Sequence, residues 1–289
     1  MIRQLAAACL GLSILASCAG YTPPAPGAAE DVVVVSIGAQ TITSPDGTLA
    51  LTLDDSTAHA LWSVSLDGAP VILPGRLGLR FLEVAGFDRD LEITAAETAA
   101  ADTLWEQPWG EQREMREHYN ELLATLTEQG TGRSFNVRFR VFDDGIGFRY
   151  EVPELTGDGH ISITDELTEF KVDENSKSWW IWAGNYHRYE FLYKSTDLKA
   201  VDRAHTPFTL KTPQGTYITL HEAALVDYAG AWLDQQRPGV LKVSLVPWSD
   251  GVRVKKDGAF TPPWRTVQLG RKATDLLDSD LILNLNEPN

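Results

Sequence analysis

The residues with the most chemical potential lie in Asn185–Tyr193, "NYHRYEFLY". Four of the nine are aromatic, His187 and Arg188 can carry positive charge, and Glu190 is the single carboxylate. A lone acid among rings has two readings. At a surface it pairs with Arg188 or Lys194, and such a pair contributes little. In a partly dry pocket it becomes a general acid or base with a raised pKa, or a ligand for a hard cation. Calcium takes about six to eight oxygens, and one glutamate offers at most two, so the other ligands must come from elsewhere.

Two further clusters carry candidate chemistry. "WEQPWGEQREMREHYNEL" (Trp105–Leu122) sets two tryptophans around a proline, as either a packing corner or a shelf on which a sugar face stacks. "SWWIWAG" adds Trp179, Trp180 and Trp182 just before the Glu190 stretch. In "AHTPFTLKTPQGTYITLHEAALVDYAG", His221-Glu222 follows a predicted strand. Acid–base work needs both groups on one sugar. Strand neighbours face opposite ways, so His205 or His187 would have to join Glu222 or Glu190. The sequence has no HExxH, GxSxG, Walker A, EF-hand or dinucleotide motif.

Composition narrows the partners. A hydrophobic fraction of 43% and a charged fraction of 22% are those of a globular protein with a sizeable core. The formal charge of -15 argues against nucleic acid, which needs a basic face. It is compatible with cation binding at one spot.

The elements that must position these residues begin after an unusual start. Arg3 precedes the uncharged run Leu5–Ala16, which is too short to cross a bilayer and has the form of a signal peptide. The run ends in Leu15-Ala16-Ser17-Cys18, which resembles a bacterial lipobox. That resemblance implies a signal over residues 1–17, lipidation at Cys18 and, with Ala19 next, retention at the outer membrane on its periplasmic side. A Pro-rich tether follows over 18–30. Cys9 and Cys18 are the only two cysteines, so residues 31–289 have neither a disulfide nor a thiolate metal site.

From residue 31 the signal is β. "VVVVSI" is a β-branched run, and "SPDGTLALTLDD" and "LWSVSLDGAPVIL" alternate around Pro-Asp-Gly and Asp-Gly turns. "SFNVRFRVFDDGIGFRYEV" reads as a hairpin with Phe135, Val137, Phe139 and Val141 on one face. Further strands are expected at 206–211, 216–220, 241–246 and 281–285. Only 222–233 has helical spacing, and it is equally compatible with a strand. The sum is one all-β domain, a large antiparallel β-sandwich.

Together, "SPDGTLALTL", "WGEQREMREHYNEL", "DDGIGFRYEVPE", "YEFLY", "HTPFTLKTPQGTYITLHEAALVDYAGAWL" and "LLDSDLILNLNEPN" resemble, in order and spacing, the amino-terminal domain of glycoside hydrolase family 97. The family comprises Sus-type α-glucosidases and α-galactosidases. The resemblance implies a β-supersandwich of galactose-mutarotase-like type, followed in the family by a catalytic (β/α)₈ barrel. It also implies a Ca²⁺ ion, one of whose ligands is a glutamate donated across the domain interface. Glu190 matches that position by its place in the "YE…Y" segment, and Glu222 is the second choice. Trp182, Asn185, Tyr189 and Glu222 are the expected sugar-facing residues, toward an α-linked oligosaccharide or glycoside. The sequence ends at Asn289 with no βαβ alternation. Its barrel is therefore expected to be absent, with the carboxylate pair that cleaves glycosidic bonds. No catalytic residue is assigned, and the chain alone is expected to be inactive. A stand-alone carbohydrate-binding lipoprotein is the alternative.

Overall fold

A computed structural model describes residues 32–287. The expected signal peptide, tether and lipidated Cys18 lie outside the described residues.

Among the described residues the strands form three antiparallel sheets. The first has eight strands. Its order is β1 (Gln40–Thr43), β2 (Leu49–Asp54), β3 (Leu61–Leu66), β4 (Ala69–Arg76), β11 (Glu169–Lys171), β18 (Val240–Leu245), β17 (Ala231–Arg237) and β14 (Arg203–His205). The second has nine. It runs β13 (Tyr193–Asp197), β12 (Lys177–Ile181), β15 (Phe208–Lys211), β16 (Tyr217–Ala223), β20 (Trp264–Gly270), β9 (Gly145–Glu151), β8 (Ser134–Phe142), β7 (Glu114–Glu128) and β6 (Leu91–Glu106). A small third sheet joins β19 (Val254–Asp257), β10 (His160–Glu166) and β5 (Leu79–Phe81).

The two large sheets share one core, as the alternating sequence requires. Leu49, Leu51 and Leu53 of β2 point inward, as do Phe135, Val137, Phe139 and Val141 of β8. Trp62 of β3 joins the layers. Its ring lies 4.7 Å from Phe148 of β9 and 5.6 Å from Phe170 of β11. Its indole N–H donates to the Glu169 carbonyl at 3.1 Å, so the polar edge is not stranded inside. Asp67 and Gly68 both adopt positive φ (51° and 77°), which gives the β3–β4 hairpin a primed turn matched to strand twist.

Two expectations fail locally, and one open alternative is decided. "VVVVSI" forms no regular strand. Val32 makes an isolated bridge to Gly130, while Val33 and Val35 are 85% and 77% exposed. β-Branched propensity works only against a partner surface, and here the Gln129 side chain, not a strand, bonds the Val34 backbone. Residues 281–284 form a helical turn, α1 (Leu281–Asn284), rather than a final strand. The turn brings Leu281 and Leu285 together on the outer face of the nine-stranded sheet, against Tyr119, Phe142 and Trp264, and turns Leu283 outward. The 222–233 segment is not helical. It is the end of β16, a loop and the start of β17, and positive φ at Ala224 and Asp227 interrupts it.

Candidate functional site

The "NYHRYEFLY" stretch is the loop from β12 to β13, and its shape follows from short-range bonds. The Asn185 side-chain oxygen accepts the His187 amide at 2.8 Å, an Asx turn. The Tyr189 hydroxyl donates to the Thr206 carbonyl at 2.9 Å, tying the loop to the β14–β15 connection. Below the loop the Tyr186 ring stacks on Trp232 of β17, 4.9 Å away and 7° from parallel. Tyr189 packs on His205 of β14 at 4.2 Å, and His205 meets Trp232 edge-on at 5.4 Å. Four rings from three segments thus hold the loop over a cavity of about 450 Å³.

Glu190 stands exposed at this cavity. Neither expected ion pair forms among the described residues. The Arg188 guanidinium lies over the Phe191 ring at 5.0 Å, and the Lys194 ammonium over the Trp180 ring at 4.6 Å. Both cations are engaged by aromatic faces, which leaves the Glu190 carboxylate without a basic partner.

Glu222 reaches the same cavity from β16, but its oxygens are already engaged. One accepts from Arg265 Nη1 at 2.6 Å and the other from the Ala231 amide at 3.2 Å. Arg265, on β20, also donates from Nε and Nη2 to Glu166 at 2.8 and 2.6 Å. Arg265 and Glu166 are almost fully buried, at 2% and 1% exposed. Burial pushes the Glu222 carboxyl up, against the opposing Arg265 charge and Ala231 N–H. Burial alone would lower Arg265, yet Glu166 and Glu222 outweigh it and hold the guanidinium protonated. Glu222 is therefore the end of a buried Glu–Arg–Glu chain that ties β16, β20 and β10 together.

The expected sugar-facing residues separate. Asn185, Tyr189 and Glu222 border the cavity with Glu190. Trp182 does not. Its N–H points to Asp202 at 3.3 Å and its ring meets Phe191 edge-on at 5.2 Å, so it props the loop from beneath. Trp105 donates to the Asn284 side chain at 2.9 Å, whereas Trp109, at the tip of the β6–β7 hairpin, is 72% exposed. Sequence reasoning missed Trp232 and Arg265. Trp232 lies between Ala231 and Leu233 of the core and so takes the other face of β17, where "AWLDQQR" gives no sign of burial, and nothing local to Arg265 marks it as buried. The cavity also holds His205 and His221, each with a buried ring nitrogen lacking a partner, and burial pushes both imidazoles down toward the neutral form. His221 and Glu222 leave β16 on opposite faces, opposite Thr266 and Arg265 respectively.

The donor set limits what the cavity can hold. No group of three or more His, Cys, Asp or Glu among the described residues is arranged to hold a metal ion. A calcium ion needs about six to eight oxygens, and with Glu222 engaged the cavity offers one open carboxylate. The described residues therefore do not build a calcium site alone, and Glu190 is open to contribute to one.

Comparison with known proteins agrees with this architecture. The family described as Glycosyl-hydrolase 97 N-terminal matches residues 42–288. A probable retaining alpha-galactosidase of Streptomyces bingchenggensis (strain BCW-1) is 28% identical over 276 residues, which is 94% of this chain and 41% of that protein. A glycoside hydrolase family 97 enzyme from Pseudoalteromonas sp. strain K8, solved with panose and with acarbose, superimposes with a TM-score of 0.84 at 46% identity. That match covers 86% of this chain and 38% of the enzyme. A beta-arabinopyranosidase at 22% identity shares the fold with a TM-score of 0.73. The chain spans about two fifths of the length of the first two relatives. With the sandwich and the family pattern coinciding over nearly all described residues, the chain belongs to the glycosyl-hydrolase 97 N-terminal family.

Proposed function

We propose that this chain is the accessory amino-terminal domain of a calcium-dependent, exo-acting α-glycosidase that cleaves α-glucosides or α-galactosides. Glu190 donates one carboxylate to an ion whose other oxygen ligands come from a (β/α)₈ barrel. Asn185, Tyr189 and the loop they fix form a wall of the sugar site. The observation that carries the reading is the Glu190 carboxylate, left open at a cavity while Arg188 and Lys194 are held on rings. The family 97 enzyme solved with panose and acarbose supports α-linked oligosaccharides as the substrate class. Bound there, calcium supplies Lewis-acid polarisation of the glycosidic oxygen.

The test is calcium affinity. In an enzyme carrying this domain together with the barrel, Glu190→Gln is expected to weaken calcium binding at least about tenfold, because affinity follows ligand charge. Thermal unfolding of the sandwich should stay unchanged. Wild-type calcium affinity in that variant overturns the reading. The present chain alone is expected to bind calcium only weakly in calorimetric titration, and sub-micromolar binding would contradict the shared site.

We also propose that Cys18 anchors the protein to the outer membrane on its periplasmic side, on the strength of Leu15-Ala16-Ser17-Cys18. Expressed in a bacterial host, the protein should fractionate with membranes and Cys18→Ala should release it. A membrane-free wild type would refute the anchor.

A further inference from the structure

The outward face of the nine-stranded sheet carries a second cavity, of about 520 Å³. This lies within the roughly 300–1,000 Å³ range of small-molecule sites. Strand register explains the hollow. Trp179 of β12 pairs with Thr209 of β15, Thr209 with Thr219 of β16, and Thr219 with Gln268 of β20, so these side chains leave one face in a row. The two small threonines form the floor, with their hydroxyls 3.0 Å apart. On one side Trp179 and Tyr217 meet across β15, their rings 6.4 Å apart and 22° from parallel. His221, Gln268 and the turn carrying Leu276 and Leu277 make the other walls, and Leu277 is 83% exposed at the rim.

We propose that this outer cavity binds a pyranose sugar at a site separate from the Glu190 cavity. The Trp179 ring, backed by Tyr217, offers a flat face to ring C–H groups. Gln268 and the Tyr217 hydroxyl offer donors and acceptors to hydroxyl edges. The lining holds no Asp or Glu to pair with a cation, and the Lys211 ammonium beside it is already engaged over the Tyr217 ring at 5.0 Å. A purely apolar ligand would strip water from the Gln268 amide, which has no side-chain partner among the described residues, an expensive outcome for a polar group. A neutral, polar-edged ring fits both constraints. The two cavities meet at His221, and the inference does not depend on the calcium reading.

The test is ¹H–¹⁵N NMR of the chain titrated with panose and with methyl α-galactoside. The indole N–H signal missing from Trp179→Leu is expected to shift in the wild type. Trp179→Leu and Thr209→Phe, which removes the shelf and fills the floor respectively, should each weaken binding about tenfold, the equivalent of one lost stacking contact. Backbone spectra of both variants report that the fold persists. Glu190→Gln separates the cavities, because an affinity equal to wild type places the sugar on the outer face. Loss of binding in Glu190→Gln with full binding in Thr209→Phe moves the sugar to the other cavity and overturns the proposal. So does an unmoved Trp179 signal at high millimolar concentrations of both sugars.

Discussion

Arg265 and Glu190 show opposite ways of handling charge on a sandwich. Arg265 sits between Glu166 and Glu222 with nearly all its surface buried, so its charge is compensated within the fold. Removing one member of such a chain costs more than the chain contributes, because the others stay buried without compensation. Arg265→Leu is expected to destabilise the protein by about 3–5 kcal/mol in urea unfolding at neutral pH. The sign of the pH response is a second readout. Glu222 already lies above the usual carboxylate range because of burial. With Arg265 gone, mild acid protonates the stranded carboxylates of the folded state before those of the unfolded chain. Lowering the pH from neutral toward 5 should therefore restore part of the variant's lost stability relative to wild type. A variant as stable as wild type, or one without this recovery, would show that the chain of charges does not hold the site. Glu190 was legible in the sequence because a carboxylate between tyrosines is conspicuous. Arg265 was not, because an arginine in "WRTVQLG" normally marks the solvent face of a strand.

At the scale of elements, β20 explains why that rule failed. All seven of its residues are buried, since one face meets the inter-sheet core and the other lies under the Ala273–Leu276 turn and the outer cluster that holds Trp264. Its polar residues and the flanking Pro262-Pro263 hid a central strand that alternation alone does not reveal. Hairpins with one wet face, β3–β4 and β8–β9, were read correctly because their Asp-Gly turns and period-two patterns agree. The helical turn α1 was misread because Leu281, Leu283 and Leu285 also satisfy period two. Its docking gives an element-level prediction. An added Cβ at Gly147 of β9 would overlap Leu285 Cδ1. Leu285→Ala is expected to cost about 2 kcal/mol, the low end for a buried leucine because the residue is near the end of the domain. Gly147→Ala should also destabilise, and the double variant by less than the sum, since the new methyl occupies the vacated space. Coupling of about 0.5 kcal/mol or more in urea unfolding would confirm the contact, and strict additivity would refute it.

For the whole molecule, the antiparallel sandwich was legible from turns and alternation, and the candidate site was half legible. Asn185, Tyr189 and Glu190 come from one loop and could be found by reading along the chain. The aromatic support beneath them, Trp232 and His205, arrives from strands of the other large sheet and is set by topology. Among the described residues the same topology leaves β6 as an edge of the nine-stranded sheet, sixteen residues long, with β7 as its strand partner and the Ile37 amide bonded to Ile93 near its start. An edge of that length is a template on which a second chain can continue the sheet. Its sequence, "LEITAAETAAADTLWE", has no basic residue and four carboxylates. Two copies approaching edge to edge would bring Glu92 and Glu97 of each against acidic residues of the other, while Asp102 and Glu106 are held by Arg116 of β7 and Arg113 of its hairpin. The charge of -15 thus acts locally as a guard against fibrous self-assembly. Acid or high salt would weaken that guard while the two-sheet core stays folded.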